Sequence, residues 1–349
     1  MKERWKNFLQ KAGAEMDGNR VLNFGNPERE LRVTTTGDVL ADLNHLGLIG
    51  AYGADAADFL QGQFSCDIRD VDQTTSRLCA HCTPKGRVQI LYRVFRRGDT
   101  YYLQCPTELV EEGLKRLKKY VLMSKVTLED AGNAMVCFGY AGPTSERHLK
   151  DLLGKAPMEV NDVAQTPDLL VVRLPGPMPR FEIAGSLEAA TKLWSSLNAW
   201  AAPVGTDTWR MLRILSATPE VYGPTTEAFV PQMLNLQALS GVSFIKGCYT
   251  GQEVVARSEY LGKLKRRMYR AFVRAPQRPQ PGTELYAPDS QSGQGTGKVV
   301  DAALAQGGGY EMLVVAESSA VEAGEVRLVD ANGPQLEFRE LPYPLPEKG

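Results

Sequence analysis

Two runs rich in β-branched and aromatic residues, "RVQILYRVF" and "TYYLQC", are separated only by "RRGD", and together they read as a β-hairpin. Tight hairpins join antiparallel strands. Strand texture returns at "KVTLED", "AMVCFGYAG", "DLLVVRLP" and "RFEIAG". Helical patterns alternate with these strands. One starts at Gly53-Ala54-Asp55 with Ala56, Phe59 and Leu60 on its buried side. "PTELVEEGLKRLKKYV" is amphipathic, with Thr107 as its cap and Leu109, Leu114, Leu117 and Val121 along one face. "SERHLKDLLG" forms another, while Ser186 and Thr206 stand as caps before "LEAATKLWSSLNAWAA" and "DTWRMLRIL". Two such blocks in succession predict an α+β fold of antiparallel layers, not a doubly wound parallel sheet.

Past Lys265 the helical patterns stop. "RMYRAFV", "TELYA", "GKVVDAA", "YEMLVVA", "EVRLV" and "LEFREL" are short strands split by "RAPQRPQPG" and "AQGGG". With no helix between them, they predict an antiparallel β-barrel or sandwich of about 80 residues. Ahead of the first block, 1–36 reads as a helical lead-in followed by the loop "NFGNPERE". The expected division is this lead-in, α+β blocks over 37–134 and 135–262, and the barrel over 263–349. Interleaving of the two α+β blocks is left open. A chain of 349 residues exceeds what one core usually covers.

Lys and Arg number 40 against 41 Asp and Glu, so no global field draws this chain to nucleic acid or to a membrane. Any anion site must be local. "MKERWKNFLQKAGAEM" lacks the apolar centre of a secretory leader, and its early glutamates count against a transit peptide. No apolar run approaches the roughly 18 residues of a membrane span. The six cysteines, at 66, 79, 82, 105, 137 and 248, are scattered, and reduced thiols in a cytoplasmic protein are expected.

The strongest chemical candidate is Cys248, within "KGCYTGQEVVAR". Thiolate is the reactive form of cysteine, and neighbouring cations favour it. Lys246, Arg257, Lys263, Lys265, Arg266 and Arg267 are all close in sequence. Gly247 and Gly251 permit a tight backbone whose N–H groups can face an anion. The plain alternative is a small buried cysteine at a turn. Glu253 can accept the thiol proton or pair with Lys246, and both readings stay open.

"GKLKRRMYR" is either a solvated strand or a patch for a polyanion such as RNA or a carboxylate-rich ligand. No nucleic-acid-binding motif accompanies it, so nucleic acid is not expected as a partner. Cys79-Ala-His81-Cys82 is half of a metal site whose other half is missing, even with Cys66 nearby and His45 and His148 elsewhere. No metal is expected. "SGQGTGKVV" has Ser292 where a phosphate loop needs glycine and Val299 after Lys298, and reads as a hairpin turn.

The stretch around Cys248 resembles the K-G-C-[FY]-x-G-Q-E signature of the YgfZ family, a branch of the folate-binding aminomethyltransferase (T-protein) superfamily. Lys246, Gly247, Cys248, Tyr249, Gly251, Gln252 and Glu253 meet every position of it. "GADAADFLQGQFSCDI", "CTPKGRVQILYRVF" and "PQMLNLQALSGVSFIKGCY" resemble further family blocks, and "LRILSATPEVYG" its Arg-Ile-x-x-Gly segment, with Thr218 near a place where a small residue is common. By motif the likeness runs from Asp38 to Arg270.

The resemblance implies a three-domain ring around a channel, two α+β domains followed by a β-barrel. It implies tetrahydrofolate or a derivative as ligand, and a role in assembly or repair of iron–sulfur clusters. Clients would include a tRNA-thiolating enzyme, and other partners would be cluster-assembly proteins. Cys248 would be the key thiol, in transient contact with a cluster. The parent aminomethyltransferases carry an aspartate pair where Ile90 and Leu91 stand here. Without a carboxylate, a cation developing at the folate nitrogen has no electrostatic partner. Folate binding without glycine-cleavage chemistry is thus implied.

A folate needs a few polar groups in an apolar cleft and a cation for its glutamate tail. Gln61, Gln63 and Asp67 are candidates for the pterin, and Arg87, Arg213 and Arg257 for the carboxylates. Their plain alternatives are a helix end at Gln61-Gly62-Gln63 and an ordinary ion pair at Arg213. Two other functions compete with the assembly factor. One is a folate-dependent aminomethyl transferase with a structural Cys248. The other is an adaptor that holds RNA or protein on the basic strand.

Overall fold

The computed structural model describes residues 1–260, 264–288, 290 and 295–345. Lys263 and the turn at Ser292 lie outside the described residues. The chain divides into two compact units. Unit 1 comprises Met1–Phe59, Arg69–Arg77 and Arg93–Leu212, and unit 2 comprises Leu60–Ile68, Leu78–Tyr92 and Arg213–Gly349.

Unit 1 is built on a six-stranded sheet in the order Val163–Gln165, Leu169–Leu174, Arg180–Gly185, Val136–Ala141, Val39–Asp42, Ala202–Val204. Its pairings are antiparallel except the last, where Ala202–Val204 runs parallel to Val39–Asp42. The two-residue period of a strand sorts side chains onto opposite faces. Phe181 and Ile183 join Phe138, Tyr140, Leu193 and Trp194 in one cluster, and Ala184 joins Cys137 and Val172 in another. Helix Leu187–Leu197 covers the first face, and Ser186 caps it as expected by accepting the Ala189 N–H.

Several expectations need correction here. The lead-in is part of the core: helix Lys2–Lys11 buries Trp5 and Leu9, and the Trp5 indole donates to Asp42 at 2.8 Å. "NFGNPERE" is no loop, because Pro27–Val33 is helical, with Pro27 in its first turn and Asn26 accepting the Arg29 N–H. Thr107 opens a 3-10 turn and donates to the His45 carbonyl instead of capping. The helix after it, Val110–Lys118, buries Val110, Gly113 and Leu117, while Leu114 and Val121 are only half-buried. Thr206 begins helix Thr206–Leu215, yet it is the buried Glu30 carboxylate that accepts the Gly205 N–H just ahead of it. The expected hairpin is present, with Arg93–Arg97 paired to Thr100–Gln104.

In unit 2 the C-terminal strands form an antiparallel sheet ordered Arg327–Leu328, Glu284–Tyr286, Gly297–Leu304, Tyr310–Glu317, Arg266–Val273, Glu337–Arg339. Its end strands are not paired with each other among the described residues. One helix does interrupt these strands, contrary to expectation. Ser318–Ala323 drops Ala320 toward the core and ends on Gly324 in a left-handed conformation. The basic strand meets carboxylates across the ladder, Arg266 on Glu317 at 3.2 Å and Arg270 on Glu311 at 3.5 Å.

The cysteines are not all reduced. Cys66 and Cys79 form a disulfide, while Cys82, Cys105 and Cys137 are free and buried. The cause is register. Phe64 bridges His81 in antiparallel fashion, which sets Cys66 directly opposite Cys79.

Candidate functional site

The thiol-bearing loop rests on the turn at 61–67, and both belong to unit 2. Gln61 donates to Asp67 at 2.9 Å and accepts the Ile68 N–H at 2.8 Å, closing the turn with its side chain. Ser65 then reaches the loop, its hydroxyl donating to the Gly241 carbonyl at 2.6 Å and its carbonyl accepting the Ser243 N–H at 2.8 Å. Thr250 N–H bonds the Gly62 carbonyl at 3.3 Å on the far side of the cysteine.

Between these two ties lies Lys246, a buried ammonium. It donates to the carbonyls of Gln61, Phe64 and Cys66, each at 2.7 Å, and sits 5.0 Å from the centre of the Tyr249 ring. A charge out of water requires such satisfaction.

Gly251 has φ 85° and packs on the turn of "CTPKG". A Cβ there would stand 2.4 Å from the Thr83 carbonyl oxygen and 3.1 Å from Gly86 Cα. A Cβ on Gly86, at φ 69°, would stand 3.0 Å from the Val254 Cβ. Only glycine combines that backbone with that approach. Helix Gln252–Tyr260 follows, with Val255 buried and its carbonyl accepting from Gln232 at 2.6 Å.

Cys248 itself is exposed and free, as is the space around Gly247. The other free thiols are poor reagents. Burial pushes Cys82 up to about 12 and Cys137 well above its ordinary value. An accessible thiol on a loop tied at several points can act as a nucleophile or as a metal-cluster ligand. Glu253 and Arg257 are exposed on the helix beyond it. No group of three or more metal-ligating side chains gathers among the described residues.

The candidate folate residues are distributed differently. Arg87 donates to the Ala228 carbonyl at 2.9 Å. Arg213 is buried among Glu220 at 2.6 Å, Asp301 at 2.7 Å and the Tyr222 hydroxyl. Gln63 is buried, and its amide oxygen has no hydrogen-bond partner among the described residues.

Unit 1 holds a polar group that sequence reasoning missed. Glu182 is 2% exposed on strand Arg180–Gly185 and accepts a hydrogen bond from Gln104. Burial raises its pKa, opposed by the Gln104 bond and by Arg93 and Arg180. Arg93 is fixed by Asn161 at 2.8 Å and Ser76 at 3.2 Å. The available signal was alternation: in "RFEIAG", Arg180 and Glu182 share the face of core residue Ala184. A perturbed carboxyl held in a polar nest is a functional-site candidate.

The GCVT N-terminal domain family matches residues 7–166. The tRNA-modifying protein YgfZ of Colwellia psychrerythraea is 34% identical over 231 residues, 66% of this chain and 70% of that one. Its namesakes in Yersinia pestis and Serratia proteamaculans are 32% and 30% identical, over 88% of this chain and 93% of theirs. The chain belongs to the YgfZ family. Among solved structures, glycine cleavage system aminomethyltransferase T from Bartonella henselae aligns over 96% of both chains with a TM-score of 0.74 and 17% identity. This YgfZ-family chain therefore has the aminomethyltransferase fold, and no helix in it is long and apolar enough to cross a membrane, among the described residues.

Proposed function

We propose that this YgfZ-family protein binds tetrahydrofolate or a derivative and supports assembly or repair of iron–sulfur clusters in client enzymes, with Cys248 as its working thiol. The carrying observation is the contrast within one motif. Lys246, Tyr249 and Gly251 are committed to holding the loop, whereas Cys248 alone among the free thiols is exposed. The printed names of the relatives, tRNA-modifying proteins, support tRNA-modifying enzymes as clients. The reading includes a cytoplasmic setting, assembly proteins as further partners, and the finer arrangement of three domains in a ring with a closed barrel.

For the folate, Gln63 is the best supported contact. Its buried amide oxygen, without a hydrogen-bond partner among the described residues, offers an acceptor for a pterin N–H. Gln61, Asp67 and Arg213 are assigned to holding their own loops, since their side chains are already bonded within unit 2. Arg87 and Arg257 remain assigned to the tail carboxylates. Bound tetrahydrofolate would supply a carrier for one-carbon groups. Aminomethyl transfer is disfavoured because Ile90 and Leu91 bring only apolar side chains, buried in strand Val88–Arg97. An RNA-holding strand is disfavoured by the pairing of Arg266 and Arg270 with glutamates.

The test is calorimetric titration with tetrahydrofolate on wild type, Cys248→Ala and Gln63→Leu, beside iron–sulfur enzyme activity in cells carrying each variant. Cys248→Ala should bind like wild type yet fail to sustain the enzymes, and Gln63→Leu should lose about tenfold in affinity, near 1.4 kcal/mol. Absence of binding by wild type sinks the folate half. Full enzyme activity with Cys248→Ala sinks the thiol half.

A further inference from the structure

We infer that Lys246 is a positioning residue for Cys248: its ammonium pins the thiol-bearing loop to the turn at 61–66 and is not an electrostatic activator of the thiol. The inference rests on the proposed role of Cys248 for its importance, but its geometry stands apart from folate and clusters.

Three acceptors converge on Nζ, the carbonyl oxygens of Gln61, Phe64 and Cys66, each at 2.7 Å. A neutral amine has two N–H bonds and an ammonium three, so the site is matched to the cation. The Tyr249 ring, 5.0 Å away, faces the same cation. An activating lysine would turn its charge to the sulfur; this one is enclosed by carbonyl dipoles and is 7% exposed. Only Gly247 separates the pin from Cys248, and nothing lies within 4 Å of where its Cβ would be. The Ser243 and Thr250 amides tie the loop to the same turn on either side, and Lys246 lies between them. Without it the carbonyls lose their donors, and the loop between the outer ties is free to lift.

The experiment uses the full chain and iodoacetamide, reading Cys248 alkylation by mass against pH. Lys246→Ala removes the equivalent of propylammonium, so that amine is the rescue probe. The expected result is a several-fold change in the plateau rate, an unmoved pH midpoint, and recovery toward wild type with propylammonium but not with sodium chloride at equal ionic strength. A midpoint that rises with the plateau unchanged identifies an activator and overturns the inference. So does an unchanged profile, or a changed plateau that propylammonium leaves alone. Should Lys246→Ala fail to fold, reductive methylation of wild type decides: Lys246 should react slower than exposed Lys85 by an order of magnitude, and equal rates overturn the inference. Neither readout involves folate or iron–sulfur enzymes, so failure of the proposed function and failure of this inference are separately visible.

Discussion

Replacing Gly251 by alanine tests how tightly the signature loop is built. Two costs can be read from the structure. At φ 85° an alanine occupies left-handed backbone, at about 1 to 2 kcal/mol relative to glycine. Its Cβ would also stand 2.4 Å from the Thr83 carbonyl oxygen, which must retreat by about 1 Å to reach an ordinary contact. That oxygen accepts the Gly86 N–H at 2.8 Å and closes the turn, so its retreat weakens a bond worth about 1 kcal/mol. Together these amount to about 3 kcal/mol, roughly a hundredfold in the folded-to-unfolded ratio. Gly247→Ala is the control, because its Cβ meets nothing within 4 Å and should cost under about 0.5 kcal/mol. Urea unfolding should be followed by far-ultraviolet circular dichroism, since all four tryptophans lie in unit 1. A loss below about 1 kcal/mol for Gly251→Ala, or an equal loss for Gly247→Ala, refutes the reasoning.

Asp42 should give stability a pH dependence. Burial lifts its pKa from 3.8 to about 7, against the Trp5 and Asn44 hydrogen bonds. The folded state therefore keeps a proton that the unfolded chain releases near 3.8. This contribution is fully present below that value and lost as pH rises through about 7, a change of about 4 kcal/mol that Asp42→Asn should abolish in urea melts. An unaltered slope in Asp42→Asn counts against it. The Cys66–Cys79 disulfide, spanning 13 residues, should contribute about 3 kcal/mol by restricting the unfolded chain. Wild type in dithiothreitol and the double variant Cys66→Ser, Cys79→Ser should melt together, below oxidised wild type; equal melting of oxidised and reduced wild type contradicts this.

Which features were legible depended on whether a local period carried them. The hairpin at "RRGD" and the Ser186 cap are written in spacing and turn chemistry, and they stand as read. Helix Pro27–Val33 was also legible, since proline suits the first turn after an asparagine cap, but the loop-like glycine and proline outweighed it. The Cys66–Cys79 pair was not, because strand register is a long-range property. Glu182 was hidden differently: two alternating charges, Arg180 and Glu182, look like an outward face until the Gln104 partner is known.

The signature motif shows the limit most sharply. Lys246, Arg257 and Arg266 crowd Cys248 in sequence, which suggests a cationic pocket. Each has its own setting in the structure: Lys246 enters the carbonyls of 61–66, Arg257 stands exposed on helix Gln252–Tyr260, and Arg266 meets Glu317 across a ladder. An irregular loop has no period, so neighbours along it share no predictable face. What survives from sequence is the need for lysine and glycine at their positions. What the structure adds is where they go: Lys246 into three carbonyls, Gly251 against the Thr83 carbonyl, and Cys248 exposed between them.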